Sequence, residues 1–343
     1  MTNEFTGLLV GAGSIGRRHG KFMAERYGRL VVVDPNPSSC DWVMSNLGGG
    51  VVAVPTLEEG LAAIGPSKSI AVIATIGPLH HTQVEQVVEH GIRHVYCEKP
   101  ITTSIADAYN LAELVASTGT RLTVGIQRRF NGLAQQIRHF ATTYLGGEPV
   151  SIIGHGGAHC LVTTGMHWVD LAVDLFDEFP SCVSGSGSPD LINPRGTHLD
   201  FWQGVAVWKF SQGRMLSLNY SNHTSVDGYL HIYCPQGRID ICPDGSVRGY
   251  SRDKREIEQD PRITRTGDVT EVPNAVFVAP STHPFVRALE ELESESLLSY
   301  SVHDAVRSLE STLAALIAIE TGCMTQLPIE KSGGYYTRTW AVT

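Results

Sequence analysis

The sequence has no Cys-x-x-Cys pair, and its 7 cysteines (Cys40, Cys97, Cys160, Cys182, Cys234, Cys242 and Cys323) are odd in number and widely scattered. That pattern argues against a disulfide framework and against structural zinc, and it fits a reducing compartment. No apolar run approaches the roughly 20 residues a membrane helix needs. The N-terminus has no basic run, and Gly11 and Gly13 interrupt its apolar stretch, so neither a signal nor a transit peptide is read there and a cytoplasmic location is expected. An excess of positive charge is missing too: 26 Lys and Arg face 35 Asp and Glu, for a net charge of −9. A field of that sign repels phosphate backbones and anionic lipid, which excludes nucleic acid and membrane surfaces as expected partners. Internal repeats and low-complexity tracts are also absent.

What is present suits a globular chain of about two domains, since 343 residues exceed the roughly 150 of one typical domain. Over the first third, short β-rich apolar runs at 7–10, 30–33, 69–74, 94–97 and 122–124 alternate with helix-length amphipathic stretches at 15–26, 81–90 and 104–117. This is the signature of βαβ units on a parallel sheet covered on both faces. The character changes after Gly125. Helices are expected at 133–144, 166–176, 284–292 and 302–320, with Gly322 as a stop, and strands at 150–153, 201–210, 214–220 and 229–234. The charge-dense stretch 251–262 reads as a solvated loop. The expected fold is therefore α/β: a doubly wound parallel domain at 1–124, then an α+β domain at 125–343 with a large, mostly antiparallel sheet. One face of that sheet would carry helices and the other would be free to meet a second subunit, in a homodimer or homotetramer.

Gly11-Ala12-Gly13-Ser14-Ile15-Gly16 follows the first strand and opens the first helix, the context a dinucleotide fingerprint requires. The first glycine permits a tight turn, the second lets backbone approach a pyrophosphate, and the third lets helix and strand pack closely. Ser14 and Ile15 lie on the first helical turn, whose N–H groups favour an anion. Asp34 stands 18 residues after Gly16 at the end of the second strand. A carboxylate there accepts hydrogen bonds from ribose hydroxyls and repels a 2′-phosphate, which selects NAD over NADP. Arg17 and Arg18 on the first helix read as phosphate neighbours or solvated side chains.

With Glu98-Lys99-Pro100 at the end of the fourth strand, the sequence resembles the glucose-fructose oxidoreductase, inositol dehydrogenase and MocA (Gfo/Idh/MocA) family. The family's strand end with its Pro and His loop is matched by Thr75, Pro78 and His81, and its Gly-x-x-x-Arg-Phe element by 125–130 with Arg129. The resemblance implies that the cofactor contacts Gly11, Gly13, Ser14, Ile15, Gly16, Asp34, Thr75, Pro78, His81, Glu98 and Lys99. It implies that Lys99 is catalytic, reaching between nicotinamide and substrate. Gly156-Gly157 followed by His167 and Asp170 looks like the family's second signature, which makes His167 the second catalytic residue and adds Arg129, Thr163 and Asp170 to the substrate contacts. Thr163 is a departure, because many members have Asp there and Thr is no base at physiological pH. An imidazole with an ordinary pKa near 6.5 suits proton exchange with a hydroxyl.

His155, His159 and Cys160 lack a metal-site spacing, and no metal is expected. Trp168 and Trp202 read as core or as a sugar-stacking platform. Arg195, His198 and Arg287 are cations that could meet a phosphate or carboxylate, on no motif. The expected activity is an NAD-dependent oxidoreductase acting on a secondary hydroxyl of a sugar, cyclitol or derivative, or on the matching ketone. Alternatives are an NAD-using glycosidase of the same family fold and a non-catalytic nucleotide-binding sensor.

Overall fold

The computed structural model describes residues 4–66, 68–157, 159–190, 199–259, 267–272, 277–294 and 296–342. The chain divides into two compact units: Met1–Phe130, Ser281–Leu309 and Tyr336–Thr343 form the first, and Asn131–Pro280 with Glu310–Tyr335 form the second. Where the sequence suggests one cut between 124 and 125, two later segments return to the first unit.

The first unit opens with β1 (Thr6–Val10), α1 (Ser14–Arg26), β2 (Leu30–Val33), α2 (Pro37–Asn46), β3 (Val51–Val54) and α3 (Leu57–Ala63). It continues with β4 (Ser69–Ile73), α4 (Gly77–Glu89), β5 (His94–Cys97), α5 (Ile105–Thr118) and β6 (Arg121–Val124). Its six strands pair in parallel in the order β3-β2-β1-β4-β5-β6. Leu8, Leu9, Val31, Val32, Ile70, Ala71 and Val72 are wholly buried, as continuous apolar strands between two helical layers must be. Helix starts follow capping chemistry: Asn36, Thr56 and Ser104 accept backbone N–H groups from Ser38, Glu59 and Asp107. The sequence reading omits β3, α2 and α3. β3 is the edge strand and half of it faces outward, with Val52 exposed, so its apolar signal is short. α4 begins at Gly77 rather than 81 because Pro78 takes its first turn.

The second unit holds α6 (Leu133–Tyr144), β7 (Ser151–Gly157), α7 (Gly165–Phe176), β8 (Cys182–Asp190), β9 (Phe201–Lys209), β10 (Met215–Ser221) and β11 (Tyr229–Cys234). After these come β12 (Gly237–Ile241), β13 (Val247–Arg252), α8 (Lys254–Gln259) and β14 (Val269–Glu271). The chain ends with α9 (Pro284–Glu293), which lies in the first unit, then α10 (Val302–Thr321), β15 (Thr325–Gln326) and α11 (Gly334–Thr337). Nine strands pair in the order β14-β13-β12-β11-β7-β10-β9-β8-β15, with β7 and β10 parallel and every other pair antiparallel. The solvated loop expected at 251–262 is corrected: Ser251 and Arg252 complete β13 and Lys254–Gln259 forms a helical turn and a half, while 260–262 lie outside the described residues.

Alternation along the strands assigns the two faces of this sheet. Ala206, Trp208, Leu216, Leu218, Leu230 and Ile232 are buried, and the Trp208 indole donates to the Ser311 carbonyl on α10 at 2.8 Å. Ile153, Val205, Met215, Tyr229 and Tyr233 on the opposite face are each about two-fifths exposed. No described helix is long and apolar enough to cross a membrane.

Candidate active site

In the first unit, the residues singled out by sequence gather at the carboxyl ends of the parallel strands. The glycine loop follows β1, Asp34 follows β2, Thr75 follows β4, Glu98 and Lys99 follow β5, and Arg129 follows β6. The strand order reverses between β1 and β4, and open α/β sheets bind ligands in the crevice at such a switch point.

Each glycine of the loop has a measurable reason. Gly11 sits at φ +96°, and a Cβ there would meet the Ala74 carbonyl oxygen at 2.8 Å. A Cβ on Gly16 would stand 1.9 Å from the Gly11 carbonyl oxygen. Gly13, by contrast, has nothing within 4 Å of a Cβ, so it leaves open space where backbone can approach a ligand. It is also the N-cap of α1, with no side-chain cap and no acidic residue in the first turn. Ser14 and Ile15 are exposed there. The first N–H groups of α1 thus face outward, with the positive end of the helix dipole behind them.

Asp34 is built into the same loop. Its Oδ2 accepts the Ala12 N–H at 2.7 Å and its Oδ1 the Asn36 N–H at 2.9 Å. Each oxygen keeps a lone pair for a further donor. Arg17 is neither a solvated side chain nor swung outward: its Nε donates to the Ala12 carbonyl at 3.0 Å and its guanidinium lies 4.7 Å over the Trp42 ring. These groups fit the adenosine and diphosphate portions of a dinucleotide, with a carboxylate at the ribose.

The turn after β5 is held on both sides. The Glu98 carboxylate takes His19 Nε2 at 2.7 Å, the Tyr96 hydroxyl at 3.1 Å and the Lys99 main-chain N–H at 3.3 Å. Burial disfavours the Glu98 anion, yet its hydrogen bond with His19, the nearby Lys99 charge and the Tyr96 hydroxyl outweigh that and hold the carboxyl below its usual range. Gly125 is the space for this arrangement, because a Cβ there would stand 2.6 Å from the Tyr96 hydroxyl and 2.9 Å from both carboxylate oxygens. Beyond Lys99, the Pro100 carbonyl lies 2.6 Å from His80 Nδ1. His80 is wholly buried, its Nε2 lies 3.2 Å from the Thr75 carbonyl, and desolvation drives its pKa down against these two carbonyl contacts. Lys99 itself is half-buried.

The remaining candidate residues of this unit divide. The Thr75 hydroxyl is taken up by Gln83 at 2.6 Å. Pro78 is exposed and His81 half-buried on the first turns of α4, while its neighbour His80 is the histidine pinned under the turn. The Arg129 guanidinium lies 5.2 Å over the Tyr300 ring. Arg287 is exposed and pairs with Glu291 one helical turn on, at 3.8 Å. A cavity of about 460 Å³ opens beside α1, lined among others by Ile15, Arg18, His19, Phe22, Gln127 and His283. The sequence offers His80 and His81 together beside the turn and favours His81, and it does not single out His19. The one available signal for His19 was its place three residues after Gly16, on the helix face that packs inward.

In the second unit, α7 begins at Gly165 and carries His167 and Asp170 one turn apart. Asp170 is wholly buried, and His167 and Thr163 are half-buried. Trp202 belongs to the core at 2% exposure, and Trp168 is half-buried. Gly156 and Gly157 serve packing: their Cβ atoms would stand 2.5 Å from the Gly228 Cα and 2.1 Å from the Thr224 carbonyl oxygen. His155 and His159 diverge, the first meeting His231 at 3.3 Å and the second Asp227 at 2.7 Å. Among the described residues no three His, Cys, Asp or Glu side chains form a metal-holding group. Arg195 and His198 lie outside the described residues.

Comparison with known proteins agrees with the resemblance. Residues 5–126 match the oxidoreductase family GFO_IDH_MocA, described as an NAD-binding Rossmann fold. An inositol 2-dehydrogenase of Rhodococcus jostii is 30% identical over 40% of this chain and 37% of its own length. That of Mycolicibacterium smegmatis is 25% identical over 56% and 63%. The chain thus matches less than two-thirds of the length of these relatives. Among solved structures, the WlbA dehydrogenase of Chromobacterium violaceum, crystallised with NADH and UDP-GlcNAcA, superposes with a TM-score of 0.73 at 18% identity, over 96% of this chain and 97% of that one. At that identity the superposition shows a likeness of fold alone.

Proposed function

We propose that this chain is a member of the Gfo/Idh/MocA oxidoreductase family, whose model its residues 5–126 match, and that it is an NAD-dependent dehydrogenase. It would oxidise a secondary hydroxyl of a sugar, cyclitol or derivative, or reduce the matching ketone. One observation supports this most strongly: the glycine loop with Asp34 bonded into it and the fixed Glu98-Lys99 turn share the carboxyl edge of one parallel sheet. The names of the R. jostii and C. violaceum relatives favour a cyclitol or a sugar derivative as the substrate class.

Bound NAD supplies the hydride acceptor. The chain's own residues do the rest. The α1 N-terminus and the open backbone at Gly13 hold the diphosphate, and Asp34 accepts from the ribose. As hydride leaves the carbinol carbon, the hydroxyl proton must leave with it, and Lys99 is the first unit's group for that proton. His167 is the candidate offered by the second unit. Incubating the protein with NAD and a panel of cyclitols, aldoses, sugar phosphates and nucleotide sugars should raise the near-ultraviolet absorbance of reduced nicotinamide with one class. Silence across the panel, with NAD shown to bind, would turn the reading toward a glycosidase that restores its cofactor or toward a sensor.

Cofactor choice is a separate expectation. Asp34→Asn keeps an acceptor for the Ala12 N–H while removing the charge, so NADP binding should tighten by about tenfold and NAD binding weaken slightly. Titration calorimetry with both nucleotides checks it, and an unchanged preference would remove Asp34 from the role. The exposed apolar face of the nine-stranded sheet supports a second copy as its cover, in a homodimer or homotetramer.

A further inference from the structure

The first unit buries two ionisable groups that the proposed chemistry does not use. His19 and Glu98 lie 79 residues apart in sequence and join at 2.7 Å, with side chains only 4% and 13% exposed. The His19 ring is fixed on three sides: it stacks on Phe285 at 3.8 Å between centroids, meets Tyr96 edge-on at 5.5 Å, and bonds Glu98 through Nε2. Its other nitrogen, Nδ1, is buried without a hydrogen-bond partner. A buried N–H left unpaired costs more than a bare ring nitrogen, so Nε2 carries the proton and donates it to Glu98. The carboxylate thereby receives a ring N–H, the Tyr96 hydroxyl and the Lys99 main-chain N–H, and each of these hydrogen bonds favours its ionised form.

A charge kept there acts on its sequence neighbour. The Glu98 carboxylate accepts the Lys99 main-chain N–H at 3.3 Å, so its negative charge lies beside the lysine and favours the ammonium over the neutral amine. We propose that His19 and Glu98 are a buried positioning pair that sets the charge on the Lys99 amine. The pair touches no reacting atom and works through the lysine. This rests on the reading of Lys99 as the group that handles the proton. The other ionisable groups around the pair are Tyr96 and Cys97 on β5, His80 on α4 and, through His19, His283 at the start of α9. Burial pushes the Tyr96 and Cys97 pKa values up and the His80 pKa down. Burial thus favours the neutral form of all three, and among these groups Glu98 is the one held ionised.

The amine can be titrated without turnover. The intact protein, free of cofactor, is acetylated with acetic anhydride across a pH series, and the Lys99 peptide is quantified by mass spectrometry. Glu98→Gln, which keeps the shape and removes the charge, should shift the Lys99 midpoint down by about one pH unit, roughly tenfold in reactivity at a fixed pH below it. His19→Leu should shift it up, because a carboxylate that has lost its chief donor acts more strongly on the ammonium. Opposite shifts would establish the pair. A purely structural role moves neither midpoint, and an unmoved midpoint in folded Glu98→Gln, or a downward shift in His19→Leu, overturns the proposal. Should Glu98→Gln fail to fold by circular dichroism, His19→Leu decides alone. Absence of turnover in the unmodified protein would count against the dehydrogenase reading and leave this titration intact.

Discussion

Replacing Lys99 with Ala should cut turnover by about 10²- to 10⁴-fold, the range for losing a group that moves a proton in the transition state, while NAD affinity changes by less than about threefold. The asymmetry follows from what holds the turn. The main chain at Lys99 is fixed by the Glu98 carboxylate on one side and, through the Pro100 carbonyl, by His80 on the other. Neither contact needs the lysine side chain beyond Cβ, so the truncated residue keeps its backbone place. The glycine loop and Asp34 sit on other strands and keep their bonds to each other. Steady-state rates and calorimetric NAD binding on the same preparation check the prediction. Turnover within a factor of a few of the parent would remove Lys99 from the chemistry, whereas loss of NAD binding would make it a cofactor residue instead.

The second large effect separates two glycines of one motif. Gly16→Ala places a methyl 1.9 Å from the Gly11 carbonyl oxygen and 2.8 Å from its carbon. Both are backbone atoms of the turn that leaves β1, so the clash cannot be relieved by a side-chain rotation. α1 must move off the sheet, and stability should fall by about 1–3 kcal/mol or more, as for other overpacked sites. Gly13→Ala meets nothing within 4 Å and has a φ of −69° that alanine adopts readily. That variant should melt like the parent and yet bind NAD at least about tenfold more weakly, since the methyl fills the space through which backbone approaches the diphosphate. Thermal melts and calorimetry distinguish the two. Equal melting temperatures for both variants would mean that the helix is not packed on the strand through Gly16.

The sequence made the local chemistry of the first unit legible, and the reasons are physical. The glycine loop, Asp34 and Glu98-Lys99-Pro100 each sit within a few residues of a strand end, so spacing and turn chemistry placed them. β2, β5, α6 and β11 were legible to the residue for a similar reason, each being a continuous apolar or periodic run closed by turn residues. Partners distant in the chain were not legible. His19 gains its meaning from Glu98, and the stacking that fixes its ring comes from Phe285, more than 260 positions away. Nor does any local pattern say that Ser281–Leu309 and Tyr336–Thr343 return to the first unit. There Glu293 takes Arg26 and the Tyr27 hydroxyl, and the Trp340 main chain bonds the Thr103 carbonyl. β12 was missed because Arg238 and Asp240 interrupt its apolar pattern, and in the fold Arg238 Nε meets both Asp240 oxygens at 3.1 and 3.3 Å, with His231 adding a third contact at 2.7 Å.

The most direct test of the proposed chemistry follows the hydrogen itself. The protein is incubated with NAD and carbinol-deuterated cyclitols and sugars, and the nucleotide is weighed by mass spectrometry. A dehydrogenase delivers the deuterium to the nicotinamide ring, so reduced nucleotide should accumulate one mass unit heavy, and Lys99→Ala should slow that accumulation by the same about 10²- to 10⁴-fold. Nucleotide that binds yet never acquires label from any of these compounds would contradict an NAD-dependent oxidation of a carbinol by this protein.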